Sequence, residues 1–497
     1  MPAKKEISAI LLDRPGVLAA PERSDERRRF FEVVISKVRR LADRIEVLTS
    51  DPDCHASVDL PRISPTTAAA FFDHVAKAHA GRVVLVLNAY AALFDLESAK
   101  GMLAEHLRFS FDYTYPENLP KGLLPEILSS DAAALIRQTL PENFPLFREN
   151  VRECFEKDVS SYDSNIFVTD SRIARYRVDF TPGSDQDALV MRDILAAEGP
   201  DRTIGGIEEA IRRDPGLIRR APAFYEIELT GIRESGVDFI GNRMQDRGAM
   251  PLSTFALALA SAERLSGNPV VSLGLYGEPL LHPDFDGILD EMRKYPRFRF
   301  LVESRGLSGP SKNAQKALEL PNVEFLVDLS AAESPTFEVF KRPLDPAVPF
   351  EALSAVEERV KALEPKDRVY IQFTRTPRNE QDLMRFYDKW RDYGDRIVIR
   401  KPDTFGGLLD GSRVVDLSPV ERQYCYHLQR DIVIRADGTV PLCRQDFNCE
   451  NPAGNLLKDS LEACWKNMQT AYNAHWNGDF SHPAICAKCD EWWIFNF

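Results

Sequence analysis

Between residues 224 and 403 the chain passes through six apolar stretches, and a helix-length segment separates each from the next. The stretches are FYEIELT (224–230), VVSLGLYGEP (270–279), FRFLVESRG (298–306), EFLVDLSA (324–331), RVYIQFTRTP (368–377) and RIVIRKPD (396–403). Helical segments fall at Leu252–Leu265, Phe285–Lys294, Ala314–Leu320, Phe350–Leu363 and Asn379–Arg391. Strands joined one to the next through helices run parallel. The pattern therefore predicts a parallel sheet curling into a six-stranded partial (β/α) barrel. Sites in such folds sit at the C-terminal ends of the strands. The tips to watch are ELTG, YGEP, ESRG, DLSA and TRTP.

The first ~210 residues also alternate strand and helix, which predicts an α/β domain. Strands are expected at Ile7–Asp13, Arg44–Ser50, Arg82–Asn88 and Arg108–Thr114, with helices such as Glu26–Ala42 and Pro65–His79. YPENLPKGLLPEIL (115–128) is rich in turn residues and reads as a loop over the sheet edge. The run DERRR at 25–29 reads as a solvated helix face. FGGLLDGSRVVDLSP (405–419) reads as a hinge. The domains expected are 1–215, 222–412 and 420–497. The last is thin in apolar residues and should loosen alone if a bound metal is lost.

Six of the eight cysteines lie after residue 420. Cys425 and Cys443 are spaced C-x12-G-x4-C, and Cys486 and Cys489 form a C-x2-C pair. Four thiolates in two clips can enclose a tetrahedral zinc or a cubane iron–sulfur cluster. Cys449 and Cys464 read as ordinary thiols, as do the isolated Cys54 and Cys154. Trp492 and Trp493 are expected to cover the cysteine-rich lobe.

The net charge is −13. That argues against nucleic-acid or anionic-membrane partners. No run approaches the ~18 apolar residues of a membrane span. The expected location is cytoplasmic, with cysteines reduced or ligating rather than disulfide-bonded.

The tail pattern continues with Gly454–Asn455, the segment LKDSLEACWKNM and the final C-x2-C. It resembles the SPASM/twitch domain appended to radical SAM enzymes, and this implies one [4Fe–4S] cluster on Cys425, Cys443, Cys486 and Cys489. GLYGEPLLHPDF resembles that family's GGEP motif, placing Gly277, Glu278 and Pro279 as an S-adenosylmethionine-like site. The family's CxxxCxxC falls in this register on Arg233, Val237 and Ile240. Radical cleavage of S-adenosylmethionine is therefore not expected. The arrangement most resembles the spiro-SPASM proteins. The N-terminal region is similar to sugar nucleotidyltransferases through YTYPENLPKGLLPEIL. It departs from them in AILLDRPGVLAAPERS, which has one glycine, and in LVLNAYAALFD, which offers only Asn88 and Asp95 as a metal ligand. The resemblances imply an iron–sulfur protein on a degenerate radical SAM scaffold, with an electron-transfer, binding or scaffold role beside a redox or modification-pathway partner protein. Two alternatives remain open: an active maturase or sugar nucleotidyltransferase, and a zinc-binding interaction scaffold.

Overall fold

The computed structural model describes residues 6–51, 60–147, 150–156, 159–231, 248–305, 311–341, 351–408, 414–415 and 418–493. The chain divides into two compact units, Met1–Arg220 and Ala221–Phe497. No helix among the described residues is long and apolar enough to cross a membrane.

The first unit is built on a seven-stranded sheet in the order β3-β2-β1-β4-β6-β5-β7. Its strands are β1 (Ile7–Leu12), β2 (Arg44–Leu48), β3 (Arg62–Ile63), β4 (Val83–Asn88), β5 (Tyr113–Pro116), β6 (Glu126–Ser129) and β7 (Ser164–Phe167). β1 pairs parallel with β2 and β4, whereas β6 pairs antiparallel with β4 and β5. Two expectations change here. Residues 108–109 end the helix Leu96–Phe109, and the strand begins only at Tyr113. The segment 115–128, read as a loop, supplies the end of β5 and the start of β6. Apolar Ile127 and Leu128 give β6 a buried place inside the sheet, and this outweighs the upstream prolines. Asn88 and Asp95 serve the backbone. Asn88 accepts from the Tyr90 amide, and Asp95 caps the helix Leu96–Phe109 by accepting from Glu97 and Ser98 amides. Cys154 is buried in this unit's core.

The second unit holds the six strands expected of the barrel: β8 (Phe224–Ile227), β9 (Val270–Leu273), β10 (Arg299–Ser304), β11 (Val323–Asp328), β12 (Val369–Thr374) and β13 (Ile397–Arg400). All pair parallel in sequence order. A seventh strand, β14 (Asp431–Ile434), comes from the cysteine-rich tail and pairs parallel with β8, Val433 opposite Glu226. The inner strands β8 to β12 are mostly buried and rich in apolar residues, whereas the edge strand β13 is partly exposed, Ile399 included. The stretches read as barrel and as cluster domain thus lie in one compact unit and share one core, in which Tyr225 and Val271 belong with Leu461, Trp465 and Trp492. The start of the expected hinge is also anchored. Phe405 is buried and donates its backbone N–H to Gln445 Oε1 at 2.7 Å. A small hairpin, β15 (Thr439–Pro441) with β16 (Pro452–Asn455), completes the tail.

Candidate iron–sulfur centre and adjoining cleft

Cys425 is the N-cap of the short helix Tyr426–Arg430, so its sulfur faces the backbone amides of His427 and Leu428. β14 follows and ends in the turn Arg435–Thr439. Gly438 closes that turn at φ +80°, a conformation that costs glycine little, which explains the lone glycine inside C-x12-G-x4-C. β15 then delivers Cys443. Cys486 lies in the turn Ala484–Lys488, and Cys489 follows it, receiving an N–H from Glu491 at 3.4 Å. His427 ties the two clips together by contacting Asp431 at 2.6 Å and the Glu491 carbonyl at 2.9 Å.

All four thiols are pushed up in pKa, Cys489 to about 12, first by burial. The neighbouring cysteines add to this for Cys425, Cys443 and Cys486, so these sulfurs feel one another's charge. Four thiolates so enclosed repel one another unless a cation sits among them. Backbone amides aimed at Cys425, Cys443 and Cys489 favour the thiolate form that ligation requires. The donor set therefore fits a thiolate-bound metal centre. Cys464 is used in packing. A Cβ on Gly454 would fall 2.6 Å from its sulfur, so the Gly454–Asn455 pair of the motif leaves room for this thiol. Cys449 is half-buried at φ +54°.

Beside the centre, a cleft of about 790 Å³, its open mouth included, lies at the C-terminal ends of β9 to β13, where a parallel sheet places its sites. Gly277, Glu303, Asp328, Gln372 and Arg400 come from strand tips, and Arg444 comes from the tail. Arg444 directly follows Cys443, and its guanidinium sits 2.8 Å from Glu226 and 3.3 Å from Asp403. Asp403 is held well below the usual carboxylate range: Arg444 and Arg400 override its burial. Glu226 is pushed up to about 7, because burial outweighs Arg444. Tyr276 donates its hydroxyl to the Arg444 carbonyl and stacks edge-on against Phe447. The segment 443–447 is thus both a ligand loop and a wall of the cleft.

Of the residues expected to bind a cofactor, Gly277 lines the cleft. Glu278 is buried, pushed up to about 7 by that burial, and accepts the Arg305 amide at 2.9 Å and the Leu280 amide at 3.3 Å. Pro279 begins the turn behind it. Arg233, Val237, Ile240 and Cys54 lie outside the described residues. Trp492 is buried and accepts the Tyr426 amide on its carbonyl, and Trp493 packs against the same core. Arg444, Glu226 and Asp403 escaped sequence reasoning. Only the position of Arg444 beside a ligand cysteine could have marked it.

Residues 425–490 match the family model SPASM, described as an iron–sulfur cluster-binding domain. An uncharacterized protein of Treponema pallidum (strain Nichols) is 27% identical over 359 residues, 69% of this chain and 98% of its own length. Among solved structures, BtrN in complex with AdoMet and 2-DOIA matches at 16% identity and TM-score 0.39, over 54% of this chain and 92% of its own. Streptococcus suis SuiB bound to precursor peptide SuiA matches at 14% and TM-score 0.43, over 58% and 75%. Native anSMEcpe with bound AdoMet matches at 10% and TM-score 0.39, over 51% and 83%. With all four cysteines inside the matched segment, the C-terminal part of this protein is a SPASM iron–sulfur cluster-binding domain, carried on a parallel β/α sheet.

Proposed function

We propose that this protein holds one [4Fe–4S] cluster on Cys425, Cys443, Cys486 and Cys489 and acts as an electron-transfer or binding component of a modification pathway. The observation that carries this is the enclosure of four mutually interacting thiols within the SPASM segment, one of them joined through Arg444 to the cleft. What favours iron–sulfur over zinc is the match of residues 425–490, which hold all four cysteines, to an iron–sulfur cluster-binding domain. A cluster with four cysteine ligands supplies electron transfer or structural support when bound, and it has no open iron for S-adenosylmethionine. The residues around it orient the sulfurs by backbone amides and hold Asp403 ionised against Arg444. The cleft, lined by polar residues at the strand ends, is where S-adenosylmethionine or a similar molecule would bind without being cleaved.

Iron and sulfide analysis after anaerobic reconstitution tests the reading. About four of each per chain are expected. Cys443→Ser or Cys486→Ser should abolish uptake, and Cys154→Ser and Cys54→Ser should leave it intact. The same preparation with a strong reductant should release no 5′-deoxyadenosine above a protein-free control. Tightly bound zinc with no stable iron would overturn the cluster assignment, and turnover above the control would overturn the assignment as a non-cleaving protein.

A further inference from the structure

A second group of ligand-type side chains lies in the first unit, with no part in the cysteine centre. Glu46 stands in the middle of β2 with its side chain only 2% exposed. Arg44, two residues earlier and so on the same face of the strand, donates its Nε to Glu46 Oε1 at 2.9 Å. Oε2 is left for two imidazoles. Nε2 of His74, in the helix Ala68–Ala78, lies 2.7 Å away, and Nε2 of His79, the C-cap of that helix, lies 3.2 Å away. The rings meet edge-to-face, 5.5 Å between centroids at 73°, so they approach Oε2 from different directions. The His79 side chain is fully enclosed, and its contact with Oε2 is the one hydrogen bond of that ring among the described residues. Its orientation is therefore set by this point.

We propose that Glu46, His74 and His79 bind a divalent metal of the zinc class, with a water completing the coordination. All three ligand atoms lie within 4.8 Å of one another. A tetrahedral ion with bonds of about 2.0–2.2 Å holds its ligand atoms roughly 3.3 Å apart. The His79–Glu46 separation already meets this. The His74–Glu46 separation must open by about half an ångström, and His74, with 29% of its side chain exposed, is the ligand free to yield. The same exposure gives the ion its entry and the fourth, solvent position. Two neutral imidazoles and one carboxylate are a common three-ligand set for zinc. Arg44 on the far carboxylate oxygen is an outer partner that fixes how the ligating oxygen points. The competing arrangement is a proton-filled one, in which both imidazoles donate to a single carboxylate oxygen and no ion enters.

The test uses untagged full-length protein with the cysteine centre already loaded with iron and sulfide. Co²⁺ is titrated against a chromophoric chelator. The proposal expects one further Co²⁺ per chain, whose visible bands come without the intense thiolate-to-cobalt charge transfer that cysteine ligation produces. Zn²⁺ should displace it. His74→Ala, chosen because the residue is partly exposed and therefore tolerant, should weaken Co²⁺ binding by at least about tenfold, a factor equal to 1.4 kcal/mol. Its circular dichroism and melting should stay as in the parent. Glu46→Gln should weaken binding in the same way. The wild-type measurement decides the matter even if neither variant folds. No Co²⁺ beyond the cysteine centre, or extra Co²⁺ showing thiolate charge transfer, or binding unchanged in a folded His74→Ala protein, would overturn the proposal.

Discussion

His475 lies in the helix Gln469–Trp476 at 2% exposure, and neither ring nitrogen has a hydrogen-bond partner among the described residues. Burial pushes its pKa down to about 4; Arg422 adds to the effect and Asp479 opposes it. In the unfolded chain the imidazole titrates near 6.5. Between these values the unfolded state binds a proton that the folded state refuses, so stability falls as pH drops from about 6.5 toward 4. Urea unfolding of wild type and His475→Leu at pH 7 and pH 5 should show it. Wild type should lose on the order of 2 kcal/mol more than the variant over that interval. Equal losses would mean that the ring is solvated. Sequence reading reached the cysteines because their spacing is local and their chemistry narrow. It passed over His475, whose burial no local pattern announces. It also passed over Glu46, His74 and His79, which come together only when a helix folds back over β2. Arg444 was hidden for the same reason: Glu226 and Asp403 are distant in sequence and meet it only through the sheet.

At the scale of the element, β14 is the piece with most depending on it. Its four residues are all buried, and they separate the two cysteines of the first clip. Ile432 is fully enclosed in the shared core. Ile432→Ala should cost about 2–5 kcal/mol, as cavity-forming changes of this size do. It should also speed loss of iron from the reconstituted protein, because β14 fixes Cys425 relative to Cys443. Chemical unfolding together with a timed chelator challenge measures both effects; lost stability with unchanged iron release would separate the strand from the centre. The barrel strands were legible because mostly buried strands are dominated by apolar residues, as in FRFLVES and RVYIQFT, and because glycine, proline or charge marks their ends. β6 was not legible, since EILS is short and follows a proline-rich stretch. β14 was visible as DIVI, but nothing local shows that its partner is β8 rather than a neighbour in the tail.

For the molecule as a whole, the shared core changes what cluster loss should do. A lobe swinging on a flexible hinge would loosen alone, and the expected limit was residue ~415. Here Lys401 contacts Asp490 and Glu491, each at 3.0 Å, and Thr404 donates to Asp490 at 2.6 Å, so the end of the barrel grips the second clip directly. Hydrogen exchange on iron-loaded and iron-free protein should therefore show faster exchange in 418–493, in β8 and around 401–408, with β1 and β4 unchanged. Exchange confined to residues after 415 would restore the independent lobe. Another consequence concerns what β8 would be without its partner. The strand FYEI is buried along its whole length and takes β14 on one side. If the tail came away, that side would present unpaired amides and carbonyls on an apolar strand, a template on which other chains can add. The cysteine centre would then double as a solubility checkpoint, because molecules that fail to acquire their metal would be the ones that aggregate.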